Sequence, residues 1–306
     1  MTSIQEVKAR HWTHVAGDAL AEALAYPVKV YRHRYLVANA FRRELFGRFK
    51  GSLLGVGWVL IHPVFLFVTY YLVFGLLFNM RGKPGAPASW YSFYLFSGIL
   101  IWMLFSETTM RSCTIVVDNG NLIQKVAFPS ELLSLPLVLV NLVVFGVGLF
   151  VVYAGSALWA LVDSSTLAIT WPGPEFLLVI PLVAEVALFS LGVGLFLAAA
   201  HVFLRDTVQI YTVILLFWFF VSPIFWYSDF VVRGGGADFL ARWKGVIQAN
   251  PFYSYSLGIR GVIGITDHPW ADALAGVTGG LLPALTAFFL GCFFFNLLKR
   301  RFADEV

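Results

Sequence analysis

Apolar residues in this chain gather into long blocks, separated by short polar stretches rich in Gly, Pro and charge. Six blocks, near 54–78, 92–116, 132–160, 176–200, 208–228 and 272–298, each come close to or exceed the length a helix needs to span lipid. That length is roughly 20 residues for a hydrocarbon core of ~30 Å. Each block predicts a membrane-spanning helix. A further block, "NPFYSYSLGIRGVIGI" over 250–265, is apolar too, but it carries Asn-Pro, three glycines and Arg260. It predicts a re-entrant or interfacial helix, because irregular backbone at membrane depth is tolerated only when buried in protein or lining a cavity. The preceding "RGGGADFLARWKG" reads as an exposed loop with a short amphipathic turn.

Ahead of the first block, residues 31–50 follow a different period. Tyr31, Tyr35, Ala38, Leu45, Phe46 and Phe49 share one side of a helical wheel. Arg32, Asn39, Arg43 and Lys50 form an adjoining flank, with His33, Glu44 and Arg48 further round, and Arg42 interrupts the apolar stripe. This predicts an amphipathic helix in the membrane interface; a helix packed on the protein's own soluble side is the alternative.

Composition agrees: 59% of residues are hydrophobic and only 12% charged, about half the charge of a soluble domain. An all-α polytopic membrane protein is the fold class that follows. Of the 21 lysines and arginines, fifteen fall in the segments joined to the two termini by an even number of spans, and six fall on the other side. The positive-inside rule then places both termini in the cytoplasm. A net charge of +4, so distributed, speaks to orientation and not to nucleic acid. Cys113 and Cys292 suggest neither a disulfide framework nor a metal site. "MTSIQEVKARHWTHVAGDAL" lacks the basic start and unbroken apolar core of a signal peptide.

Four stretches, in this order and spacing, resemble permease subunits of ABC exporters for lipid-linked polysaccharides, the O-antigen, capsule and teichoic-acid export type. They are "FGRFKGSLLGVGWVLIHPVFLFVTYYLVFG" at the first span, "NGNLIQKVAFPSELLSLPLVLVNLVV" leading into the third, "FLRDTVQIYTVILLFWFFVSPIFW" at the fifth, and "NPFYSYSLGIRGVIG" before the last. The resemblance covers 31–300, and residues 1–30 form an N-terminal cytoplasmic extension outside it. It implies the ABC type-2 permease fold in a bacterial inner membrane. It also implies a homodimer of permeases with two ABC ATPase subunits, a lipid-linked polysaccharide as substrate, and no cofactor in this chain, ATP and Mg being bound by the partner. A permease for a drug or small lipid is the alternative. In such a chain Arg42, Arg43, Arg48 and Lys50 hold the interface helix to anionic headgroups, at about 1 kcal/mol each, while Gly47, Gly51, Gly55 and Gly57 permit the turn into the span. Pro63 deletes one helical hydrogen bond and predicts a kink, and His62 reads as a polar residue of a hydrated cleft.

The coupling segment is expected over 118–131, where Leu122 and Ile123 follow helical spacing and Pro129 stops the helix. Phe128 is then the anchor on the ATPase, Lys125 and Glu131 its polar margin, and Arg205 and Asp206 a second contact turn. Sugars present C–H faces to aromatic rings and hydroxyls to their polar tips. Phe67, Tyr70, Tyr71 and Phe74 on the first span, and Tyr211, Trp218 and Trp226 on the fifth, are the candidate path residues.

Other chemistries find little support. No G-x-x-x-x-G-K-[ST] occurs, so the chain lacks the usual phosphate-cradling loop. Ser97 in "YLFSGIL" lacks the first glycine of an intramembrane serine protease motif and reads as a packing residue. Asp229, Asp238, Asp267 and Asp272 are too scattered for a glycosyltransferase site. Glu107 and Arg111, four apart, are expected to pair on one helix face. Glu185, a carboxylate inside the fourth span, sits either at a helix interface or beside the path.

Overall fold

The computed structural model describes residues 17, 21–48, 50–77, 90–120, 129–162, 172–227 and 235–305. Ten α-helices of seven or more residues organise them, and no strand occurs among the described residues. Two precede the bundle, α1 (Tyr26–Arg32) and α2 (Arg34–Gly47). The bundle holds α3 (Trp58–Tyr70), α4 (Trp90–Asp118), α5 (Leu135–Val162), α6 (Val179–Phe203) and α7 (Thr207–Val221). It closes with α8 (Ala237–Ala249), α9 (Pro251–Val262) and α10 (Pro269–Leu298).

Four segments have the length and apolarity of membrane spans: Trp90–Asp118, Ser130–Leu158, Pro174–Phe203 and Pro269–Leu298. They coincide with the second, third, fourth and sixth predicted spans. The first and fifth are shorter apolar helices, Trp58–Phe74 and Thr207–Val221. At the first, the predicted start is taken up by a turn that Gly51 and Gly55 hold with φ of +79° and +51°, a region open to glycine at little cost. At the fifth, Ser222 turns extended and Pro223 follows, which ends the helix. Pro63 lies within α3 without ending it, and the departure from α geometry comes later, as a π-helical stretch over Tyr71–Leu77.

α4 is the hub. Every residue from Trp90 to Trp102 is buried, as expected of a helix apolar all round. It packs on α5, α6 and α9, and α6 packs on α10. Small residues set these approaches: a Cβ on Gly291 would fall on the backbone of Gly192, and one on Gly276 would fall on Gly258. Close backbone contact of this kind is the usual means of helix association in lipid. Glu185 is buried where α6 meets Tyr255 of α9 and Gly280 of α10, so it sits at a helix interface. Ser97 is also a packing residue, its hydroxyl donating to the Tyr94 carbonyl at 3.0 Å.

α8 and α9 form a helical hairpin. Asn250 caps α9 by accepting from the Phe252 N–H at 3.1 Å. Phe252, in the first turn of α9, packs on Trp102 and Phe105 in the middle of α4. Beyond its other end, the Ile265 carbonyl accepts from Trp90 Nε1 at 3.0 Å, at the start of α4. α9 therefore runs back along α4 to the level where α4 begins, and the 12-residue helix is about 18 Å long, too short to cross.

Candidate functional site

One group of charged residues gathers at the end of the bundle formed by the start of α5 and the ends of α4 and α10. Lys29 of α1 donates to Glu131 Oε1 at 2.7 Å and lies 3.4 Å from Glu22 Oε2. Lys299, just past α10, pairs with the same Glu22 oxygen and approaches Glu131 Oε1 at 3.7 Å. Tyr26 Oη donates to the Glu131 carbonyl at 3.3 Å. Burial pushes the Glu22 carboxyl up, but Lys299 and Lys29 outweigh it and hold it below its ordinary value. Burial pushes Lys29 down, and Glu131 and Glu22 outweigh that, leaving it above its ordinary value. Two carboxylates and two ammoniums thus join the N-terminal helix, the end of the expected coupling segment and the C-terminal tail.

Glu131 is 5% exposed, which corrects its placement at an outer polar margin: both lysines draw it inward. Pro129 caps the short turn Ser130–Leu132 beside it. Leu122, Ile123, Lys125 and Phe128 lie outside the described residues. Arg205 and Asp206 are exposed in the turn between α6 and α7. That turn belongs to the same end of the molecule, since Phe203 meets Phe302, just past Lys299.

A second network joins α2 to the bundle. Arg48 donates to Glu107 at 3.3 Å and to Asn141 Oδ1 at 3.2 Å, and Asn141 donates to Thr108 Oγ1 at 2.9 Å. Arg111 pairs with Glu44. The expected Glu107–Arg111 pair is therefore replaced by two pairs across helices, because α2 brings a cation and a carboxylate within reach of each. Arg48 is likewise corrected: it turns into the protein, while Arg42, Arg43 and Lys50 are exposed. Tyr31, Tyr35 and Phe46 are exposed as well.

The path candidates divide. Tyr211 is 4% exposed and its hydroxyl donates to Thr109 Oγ1 at 2.7 Å; Trp218 packs on Phe105 and Phe252, and its Nε1 donates to Asn250 Oδ1 at 3.1 Å. Both have their polar tips satisfied inside the chain, which removes them from a path in this conformation. Phe67 packs on Phe93 and Phe96, and Phe74 on Tyr91 and Tyr70, so these rings face α4. Tyr71 is half-buried. Trp226 lines a cavity at the opposite end from the ion pairs.

The family model of the ABC-2 type transporter matches residues 35–258. The chain belongs to the ABC-2 type transporter family. It is similar to an O-antigen export system permease protein RfbA of Myxococcus xanthus, 30% identical over 266 residues, which cover 85% of this chain and 94% of that protein. A Klebsiella pneumoniae protein of the same name is 24% identical over 265 residues, covering 86% of this chain and 91% of its own length. The ABC-2 assignment makes this a multi-pass membrane protein of a transporter family. Three members of the four-charge cluster, Glu22, Lys29 and Lys299, fall outside the residues matched to the ABC-2 model, and Glu131 falls inside them. Nothing in their spacing announces the cluster, since 102 residues separate Lys29 from Glu131 and 277 separate Glu22 from Lys299. Asn141 went unremarked too; its one signal is a carboxamide within a long apolar block.

Proposed function

We propose that this chain is the transmembrane subunit of an ATP-driven exporter of the ABC type, moving an O-antigen-type lipid-linked polysaccharide from the cytoplasmic to the outer face of a bacterial inner membrane. The observation that carries the reading is likeness over most of both lengths to permeases named for O-antigen export, in a chain with no phosphate-cradling loop. A separate ABC ATPase subunit then binds ATP and Mg and drives the cycle. Two permease copies meet about a two-fold axis, the commonest closed assembly, and each is served by one ATPase. Both termini lie in the cytoplasm on this reading, which the distribution of lysine and arginine supports, so the ion-pair end faces the ATPase. The exposed Arg42, Arg43 and Lys50 then meet anionic headgroups.

The reading is tested by purifying the full chain from its own host under mild detergent. An ATPase bearing a Walker motif should co-purify at one copy per permease, and hydrolysis should depend on it. Robust hydrolysis by the permease stripped of every other polypeptide would overturn the proposal.

A further inference from the structure

A cavity of about 500 Å³ lies at the end opposite the ion pairs, within the span of ordinary small-molecule sites, roughly 300–1,000 Å³. It sits between the first turns of α4, the chain just after α7, α8, α9 and the loop at Thr266. Rings of Trp90, Tyr94, Trp226, Tyr227 and Tyr253 line it. They are held in place: Trp90 stacks on Tyr94 at 5.0 Å, and Tyr91 and Tyr94 hydroxyls donate to the Phe225 and Trp226 carbonyls at 2.6 and 3.0 Å.

Arg260 lines the same cavity at 5% exposure. Its guanidinium stands 3.4 Å from the centre of the Tyr94 ring, and Nη2 donates to the Ile224 carbonyl at 2.8 Å. Its Nε has no hydrogen-bond partner, nor has the buried Oγ1 of Thr266, another lining residue. Buried polar atoms are seldom left so, and a buried cation is costly unless fully bonded. Arg260 thus places a buried, incompletely bonded cation on the wall of this cavity. Lys244 and Gln248 of α8 add donors, and Asp267 adds a carboxylate.

We propose that this cavity binds an acidic saccharide, a short sugar segment bearing a carboxylate. The proposal rests on the polysaccharide-export reading and adds to it a site and a charge preference. The rings take the C–H faces of the sugar. Arg260 and Lys244 take the carboxylate, for which charge-assisted bonds from guanidinium and ammonium are the strong ones. Gln248 of α8, on the same lining, is placed to bond sugar hydroxyls. α8 carries Lys244 on the cavity side and exposes Phe239 and Trp243, so it covers the site as an amphipathic lid.

The test is isothermal titration of the purified full chain in nanodiscs with di-galacturonic acid, with lactose as a neutral disaccharide, and with inorganic phosphate. Di-galacturonic acid should bind saturably, and lactose and phosphate should each be about tenfold weaker or more. Lys244→Gln, on an exposed position, should weaken the acidic sugar about tenfold and leave lactose unchanged; Tyr253→Ala should weaken both sugars. No saturable binding of di-galacturonic acid overturns the site. Equal binding of lactose overturns the charge preference, and equal binding of phosphate overturns the role of the rings. If binding fails while surface polysaccharide still depends on the chain, only the cavity falls; if that dependence is absent, the export reading falls instead.

Discussion

Glu131 ties three parts of the chain together at its end of the molecule. It receives Lys29, stands near Lys299, and accepts from Tyr26 through its backbone. Glu131→Ala should leave Lys29 and Lys299 to share Glu22 alone and loosen α1, seen as faster trypsin cleavage at Arg32 and Arg34 and a lower melting temperature. The pH dependence follows from the shifts. Glu22 is depressed in the folded chain, so its contribution is full above the unfolded value, about 4.3, and is lost as pH falls through the lower folded one. Lys29 is raised, so its contribution is full below about 10.4 and is lost as pH rises through the higher folded value. The cluster's contribution to the wild-type melting temperature should therefore stay level from about pH 5.5 to about pH 9 and shrink below about pH 4. A contribution that changes across the neutral range would count against the cluster. Trp218→Ala belongs at this scale too. Its ring packs on Trp102, Phe105, Phe189 and Phe252, so the change should cost about 3–5 kcal/mol of folding, read as lost yield and melting temperature. A variant that folds normally but fails to export would return Trp218 to the path.

Among the elements, the α8–α9 hairpin and the segment ahead of α5 carry the testable geometry. Cysteines placed at Asp238 and Asp267 flank the hairpin, and both should react with an impermeant maleimide applied from outside intact cells. Labelling of only one of the two would mean that 250–265 crosses. In that block the break ahead of α9 was legible, because Asn-Pro does not continue the preceding helix, whereas Gly258 and Gly261 lie inside α9. The depth of α9 was not legible, because Phe252 meets Trp102 and Phe105 across some 150 residues of chain, and local pattern holds no such pairing. The same limit applies to the pair expected between Glu107 and Arg111, where local spacing lost to partners supplied by α2. Aromatic residues on the fifth span were legible as apolar and large, yet sequence cannot say which face they take. For the coupling segment, Phe128→Ala should leave the permease in the membrane while reducing the co-purified ATPase and stopping export; normal assembly with normal export would show that the segment does not couple.

At the scale of the whole molecule, the ion-pair networks and the aromatic cavity sit at opposite ends of one helical bundle. Lys29, Arg48, Arg111, Lys299 and the exposed Arg205 mark one end, while Lys244 and Arg260 stand with the aromatic cavity at the other. That partition is the one the lysine and arginine count predicts. It suits a chain that receives force at one face and releases a glycan at the other. The measurement that bears most directly on this account is depletion of the chain in its native host, with surface polysaccharide and lipid-linked polysaccharide in the inner membrane followed together. The account predicts that surface polysaccharide disappears while full-length, lipid-linked material accumulates on the cytoplasmic face, and that both reverse when the chain is restored. Undiminished surface polysaccharide after depletion, with no accumulation inside, would contradict it.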